Sequence, residues 1–369
     1  MEKRISGCRG CLLGLAVGDA MGYTVDERSW EEIQEDYGPN GLLGYDLVNE
    51  TASGSAYTQV AAYVSNGLLL GVTRGKPENY LRYITLSLRE WARAQHFPRD
   101  PEKSWCWVAK IPQMRVRKCK DSRMLDALRM DPAGTMEKPV NRASSTGSLP
   151  GAVVVGLACN DRGMDRALAT KLGAQTVALT HGNVETFLCG SVLAEIIASI
   201  LEDRQQPLED CFQNAVEKMV REFGGIYSQA AELAATFRQV MDYARQPGDE
   251  MRLVIEKMNC ESAPECVAAA ICVCLTCQED FDSAMILAVN HSGRSAAVAS
   301  LVGAILGAKW AWRRCRNFTW KAWKQRRSWK NWRQILRCAV PRRACLMTTG
   351  IISMFRDFPR KMGQNREKV

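Results

Sequence analysis

At 369 residues, 46% hydrophobic and 24% charged, the chain has the composition of a soluble globular protein with one large core or two modest ones. No run approaches the ~18 apolar residues of a membrane span, and MEKRISGCRG lacks a signal-peptide layout, so the expectation is a cytoplasmic protein without a membrane. Fifteen cysteines without regular spacing point to reduced thiols and away from a disulfide framework.

The net charge of +9 is unevenly spread: 18 of the 49 basic residues, but only 2 of the 40 acidic ones, lie from Lys309 onward. The body of 31 basic and 38 acidic residues is therefore mildly acidic.

Residues 5–22, ISGCRGCLLGLAVGDAMG, mix apolar residues with glycine and suit a tightly packed first helix ending at Gly18-Asp19. Asp19 reads equally as a pocket carboxylate or a helix cap. A turn follows at Gly38-Pro39-Asn40-Gly41. Ser53 to Gly71 is a polar turn feeding an amphipathic helix. Lys76 to Phe97 predicts another, with Tyr80, Tyr83, Leu86 and Trp91 as core candidates. From Pro98 to Ser145, proline and basic residues predict short helices and long loops, with Trp105 and Trp107 in the core.

Asn141 to Leu157 reads NRASSTGSLPGAVVVGL. In Arg166 to Leu201, Thr180-His181 leads into a long apolar helix, and a lone histidine there reads first as a structural hydrogen-bonder. Pro207 to Phe223 and Ile226 to Arg245 are amphipathic helices separated by Gly224-Gly225. Ala263 to Cys277 carries Cys272, Cys274 and Cys277. Helical residues two apart point in different directions and no histidine is near, so these are expected as buried small hydrophobes. Finally Asn290-His291-Ser292-Gly293 turns into a small-residue helix. Gly303 and Gly307 share a face that lets another helix approach closely, while the free N–H groups at the helix start can hold a ligand.

Beyond residue 309 six tryptophans, at 310, 312, 320, 323, 329 and 332, stand among arginines and lysines. That mixture ordinarily suggests nucleic-acid or membrane-surface binding, but it fits neither a heptad nor a clean amphipathic face. A reading frame one base earlier turns this tail into acidic, leucine-patterned sequence. The expectation is a domain over residues 1–309 and a poorly packed tail over 310–369 arising from a frameshift.

Three segments resemble the signatures of the ADP-ribosylglycohydrolase family. The opening one matches at Gly14, Gly18, Asp19, Ala20 and Gly22, with the family's glutamate at or beside Asp26 and Glu27. The helix opening Thr-Asp-Asp-Thr-Gln in that family reads Ser55-Ala56-Tyr57-Thr58-Gln59 here. The last signature keeps Asn290, His291 and Gly293, but its two aspartate positions hold Arg294 and Ala296. Thr180-His181 also match a family pair.

The resemblance implies an all-α fold, a single orthogonal helical domain, and a site where the signature turns converge. In the family two divalent cations, usually magnesium, hold ADP-ribose and assist cleavage of its glycosidic bond. Four of their aspartate positions are Ala56, Tyr57, Arg294 and Ala296, so those cations are expected to be absent and no cofactor is assigned. The implied site has Asp19, Asp26 and Glu27 as acid/base candidates. Its ligand contacts are Tyr57, Thr58, Gln59, Gly147, His181, Asn290, His291, Arg294 and Ser295. Expected partners are ADP-ribose or an ADP-ribosylated protein, with no nucleic acid, and the chain is expected to be monomeric. Three readings stay open: an ADP-ribose binder without metal chemistry, a metal-independent glycosidase, and a tail-led nucleic-acid-binding or structural protein.

Overall fold

The computed structural model describes residues 2–46, 52–75, 79–97, 100–159, 164–245 and 251–310. In chain order its α-helices are α1 (Glu2–Gly22), α2 (Trp30–Tyr37), α3 (Ala56–Thr73), α4 (Tyr80–His96), α5 (Ser122–Arg129), α6 (Leu149–Ala158) and α7 (Ala169–Ala178). There follow α8 (Val184–Glu202), α9 (Leu208–Phe223), α10 (Gln229–Arg245), α11 (Met251–Lys257), α12 (Ala263–Thr276), α13 (Phe281–Val289) and α14 (Ser295–Trp310). No β-strand occurs among the described residues, so the all-α class holds. The tail from residue 311, with its suspected frameshift, lies outside the described residues.

Polar side chains start many of these helices by satisfying N–H groups that have no partner within the helix. Ser29 and Glu32 form a reciprocal capping box on α2. Asn183 accepts from the Thr186 N–H at 3.0 Å to open α8. On α12, Glu265 reaches back to the N–H groups of Ser262 and Glu261 at 2.8 and 3.0 Å.

Helix α8 is buried on every side from Thr186 to Leu201, packed by α6, α7, α9, α12 and α14. A helix apolar all round belongs at the centre of a bundle. It is long and apolar enough to cross a membrane by length and composition, and here it is enclosed by other helices.

The pairing that positions the site is α1 against α14. A Cβ added to Gly14 would stand 1.9 Å from the Gly303 carbonyl oxygen, and one added to Gly303 would stand 2.1 Å from that of Gly14. Gly18 faces Ala299 and Gly307 faces Gly10 equally closely, and Gly22 meets Ser295 and Ala296. The partners step by four residues in opposite directions, as an antiparallel pair of i, i+4 ridges requires. No side chain fits between the backbones. The end of α1 therefore lies beside the start of α14.

Four local expectations need correcting. Helix α1 runs on to Gly22, because Gly18 serves the close approach to Ala299 and does not terminate the helix. Leu86 is 39% exposed, since the buried stripe of α4 passes through Tyr80, Tyr83, Ile84, Leu88 and Trp91 instead. Trp105 is 47% exposed, whereas Trp107 is partly buried against the core. Of the three cysteines on α12, Cys272 and Cys274 are fully buried, but Cys277 at the helix end is only half-buried.

Candidate functional site

Two aspartates flanking the end of α1 each close the start of another helix. Asp19 is fully buried. Its Oδ1 accepts from the Ser55 N–H at 2.9 Å, and its Oδ2 accepts from the N–H and hydroxyl of Thr58 at 3.0 and 2.5 Å. Burial raises the Asp19 pKa, although its hydrogen bonds with Ser55 and Thr58 oppose the rise. This carboxyl supplements the Ser55 cap at the start of α3, and both its oxygens are committed there. Asp19 is 36 residues away from Ser55 in the chain, so local sequence could not reveal the contact.

Asp26 does the same for α14, its Oδ1 accepting from the Ala296 N–H at 3.0 Å. It is half-buried, and burial pushes its carboxyl up to about 6 against the opposing pull of the Ala296 N–H and of Arg294.

The neighbouring Glu27 sits in the left-handed region at φ 66° and donates its N–H to the Gly293 carbonyl at 2.9 Å. That conformation is uncommon for a residue with a side chain. Its carboxylate bridges two cations: Lys120 at 2.5 Å and Arg294. Burial would raise its pKa, but Lys120 and Arg294 together hold it below the usual glutamate value. Arg294 also reaches Glu261 at 3.3 Å. Nearby, Lys118 donates to the Ser53 hydroxyl at 2.9 Å and lies over the Tyr23 ring, 4.4 Å from its centroid.

Tyr57, in the first turn of α3, connects this charged rim to a second polar group. Its hydroxyl shares a 2.5 Å hydrogen bond with that of Thr146. Burial, with help from Asp26, raises the phenol well above its ordinary value, so it stays neutral. Next to Thr146, the Ser145 hydroxyl donates to Asp121 Oδ2 at 2.5 Å and lies 2.9 Å from His181 Nε2. The same His181 nitrogen is 3.2 Å from Asp121, while Nδ1 faces the Thr180 hydroxyl at 2.8 Å. Burial works against ionisation of Asp121. Hydrogen bonds from His181, Ser145 and the Met124 N–H outweigh it and hold the carboxyl well below the usual carboxylate range. Serine and aspartate approach the same ring nitrogen, so this is not the relay of a serine hydrolase, in which they take opposite nitrogens. Gly147 lies against it, its added Cβ 3.7 Å from the His181 ring.

The other anticipated contacts are committed elsewhere. Thr58 bonds Asp19. Gln59 is buried, donating to the Gln113 and Val116 carbonyls at 2.8 and 2.9 Å and accepting from Trp91 at 2.9 Å. With Gln95, which accepts from the Lys118 N–H at 2.8 Å, it pins the loop carrying Lys118, Lys120 and Asp121. Asn290 spends both amide donors on the Leu42 and Ile286 carbonyls and accepts from the Leu42 N–H at 2.7 Å. His291 is buried with both ring nitrogens on backbone carbonyls, and burial lowers its pKa. The Ser295 hydroxyl donates to the Val289 carbonyl at 3.0 Å. These side chains shape the site from behind.

Residues 1–327 match the sequence profile of the ADP-ribosylglycohydrolase family. The chain belongs to that family. The match runs past residue 309 into the basic segment. The solved structure of an ADP-ribosylglycohydrolase-related protein complex is 18% identical, with a TM-score of 0.55 and coverage of 96% of this chain and 99% of that one. At that identity the likeness speaks for the fold. Comparison with curated protein sequences gives no match.

In this chain the available donors do not suit a pair of hard divalent cations. Asp19 is sealed, Asp26 caps a helix, and Glu27 is neutralised by two basic groups. Among the described residues no group of three or more His, Cys, Asp or Glu stands close enough to hold a metal. The permanently charged guanidinium of Arg294 stands against Glu27, and it repels cations.

Proposed function

We propose that the chain binds ADP-ribose or a related nucleotide at this cluster without the family's metal-dependent glycohydrolase chemistry. The observation that carries this reading is Arg294, placed at the start of α14 with Lys120 nearby and held by carboxylates that a ligand phosphate can replace. The ionised Asp121, which already accepts from Ser145 and His181, offers its carboxylate to sugar hydroxyls at the other end of the Tyr57–Thr146 link. Calorimetry with ADP-ribose tests it. Binding is expected to be the same with magnesium and with EDTA, and an ADP-ribosylated peptide is expected to remain intact. Absence of binding, or binding only with magnesium, would remove the reading.

A second reading is supported by Asp26, whose carboxyl near 6 suits general acid/base work beside a fixed cation. In that case the protein cleaves ADP-ribosylated substrates without metal. Turnover that survives EDTA and disappears in Asp26→Asn would select it over the first.

A further inference from the structure

The stretch from Arg117 to Asp121 has no secondary structure, and among the described residues no backbone group from 116 to 120 bonds another backbone group. Two buried side-chain amides hold it instead. Gln59 on α3 donates to the Gln113 and Val116 carbonyls at 2.8 and 2.9 Å, and accepts from the Trp91 indole at 2.9 Å and from Gln95 at 3.3 Å. Gln95 on α4 accepts from the Lys118 and Cys119 N–H groups at 2.8 and 3.1 Å, and also donates to the Val116 carbonyl at 3.4 Å. An indole N–H can only donate and a carbonyl can only accept, so each amide has one consistent orientation. Every donor and lone pair of both amides is used, and none is left for a ligand.

We propose that Gln59, Gln95 and Trp91 are positioning residues for ligand binding: acting through the loop backbone, they fix Lys120 at the site, and none of the three touches the ligand. Downstream of Lys120, Asp121 has its own anchors in the Ser145 hydroxyl and the Met124 N–H. Upstream, the backbone is held by the glutamine clamp. The ion pair of Lys120 with Glu27 is too exposed to do this alone, the lysine side chain being 58% accessible. Trp91 is fully buried on α4, and its N–H engages the carbonyl end of Gln59, which leaves the amide N–H groups for the loop. Losing that one donor frees Gln59 to turn, and both carbonyls it serves lose a fixed partner. The ligand rests on the nucleotide reading above, whereas the clamp is measurable without ligand.

The test joins amide exchange to a double-mutant cycle, both in the full-length protein. Without ligand, Gln59→Met and Trp91→Phe are expected to lower protection of the Lys118 and Cys119 amides several-fold, with amides at the centre of α8 unchanged. Unchanged protection at Lys118 and Cys119, or an equal loss in α8, would overturn the proposal. If Gln59→Met does not fold, Trp91→Phe, which keeps an aromatic ring in the core, carries the measurement. Calorimetry with ADP-ribose then reads the cycle against Lys120→Ala. Trp91→Phe and Lys120→Ala should each weaken binding several-fold, and the double variant should bind no more weakly than Lys120→Ala alone. Losses that multiply would overturn a role exerted through Lys120. If wild type does not bind ADP-ribose, the nucleotide reading fails, and the exchange result still decides whether the clamp holds the loop.

Discussion

The α1–α14 seam and the polar cluster at its end obey different rules. Along the seam, backbone meets backbone, and any side chain at Gly14 or Gly303 would occupy space held by a carbonyl oxygen. At the cluster, side chains meet through ion pairs and hydrogen bonds, and the helix starts there are held by Asp19 and Asp26. The frame and the chemistry are therefore separable. The frame depends on close approach and two caps, while the remaining polar groups can change without unfolding the helices that carry them.

The largest effect that would sharpen this contrast is expected at the seam. Gly303→Leu should destabilise by about 4 kcal/mol or more, because rigid backbone on the partner helix cannot move aside. Thermal melting checks it, and a variant melting near wild type would break the comparison. Next come the two caps. Asp19→Ala leaves two N–H groups and a hydroxyl unpaired in the core and should cost about 3 kcal/mol, against about 1 kcal/mol for the more accessible Asp26→Ala. Equal losses in denaturant titrations would show that the two caps are not different in kind.

Asp121 gives a smaller, pH-dependent effect. Its folded-state pKa is depressed, so its contribution is present above the unfolded value near 4 and fades as pH falls below that. Asp121→Asn should be less stable than wild type by about 2 kcal/mol at neutral pH, and the gap should close on acidification. A gap that widens below pH 4 would contradict the assigned hydrogen bonds. The smallest stability change belongs to Arg294→Ala. Its ion pairs are about one-third exposed and should be worth about 1 kcal/mol or less, while ADP-ribose affinity should fall about tenfold. A large loss of stability with unchanged affinity would assign Arg294 to the frame instead.

Much of the frame was legible in the sequence because its signals are local. Glycines spaced by four marked the face of α14, and small polar residues before apolar runs marked helix starts. The site was less so. Lys118, Lys120 and Asp121 lie in a stretch without periodicity, and their placement depends on Gln59 and Gln95 from two other helices. Gln59 matched the family by position and reads from sequence as a ligand contact, yet its amide is consumed in holding that loop. Ser145 and Thr146 carried no signal beyond their proximity to Gly147. Glu261 is likewise brought to Arg294 by the folded chain alone.

The seam also dictates an order of events during synthesis. Helix α1 is made long before the partner its glycine face requires, which is the last of the described helices. At ~5–20 residues per second, α1 must wait roughly 15 to 60 seconds for α14. Throughout that interval its bare backbone stripe has no mate, and the caps from Asp19 and Asp26 can serve only after their distant helices exist. The seam thus closes late, when the last of the described helices meets the first.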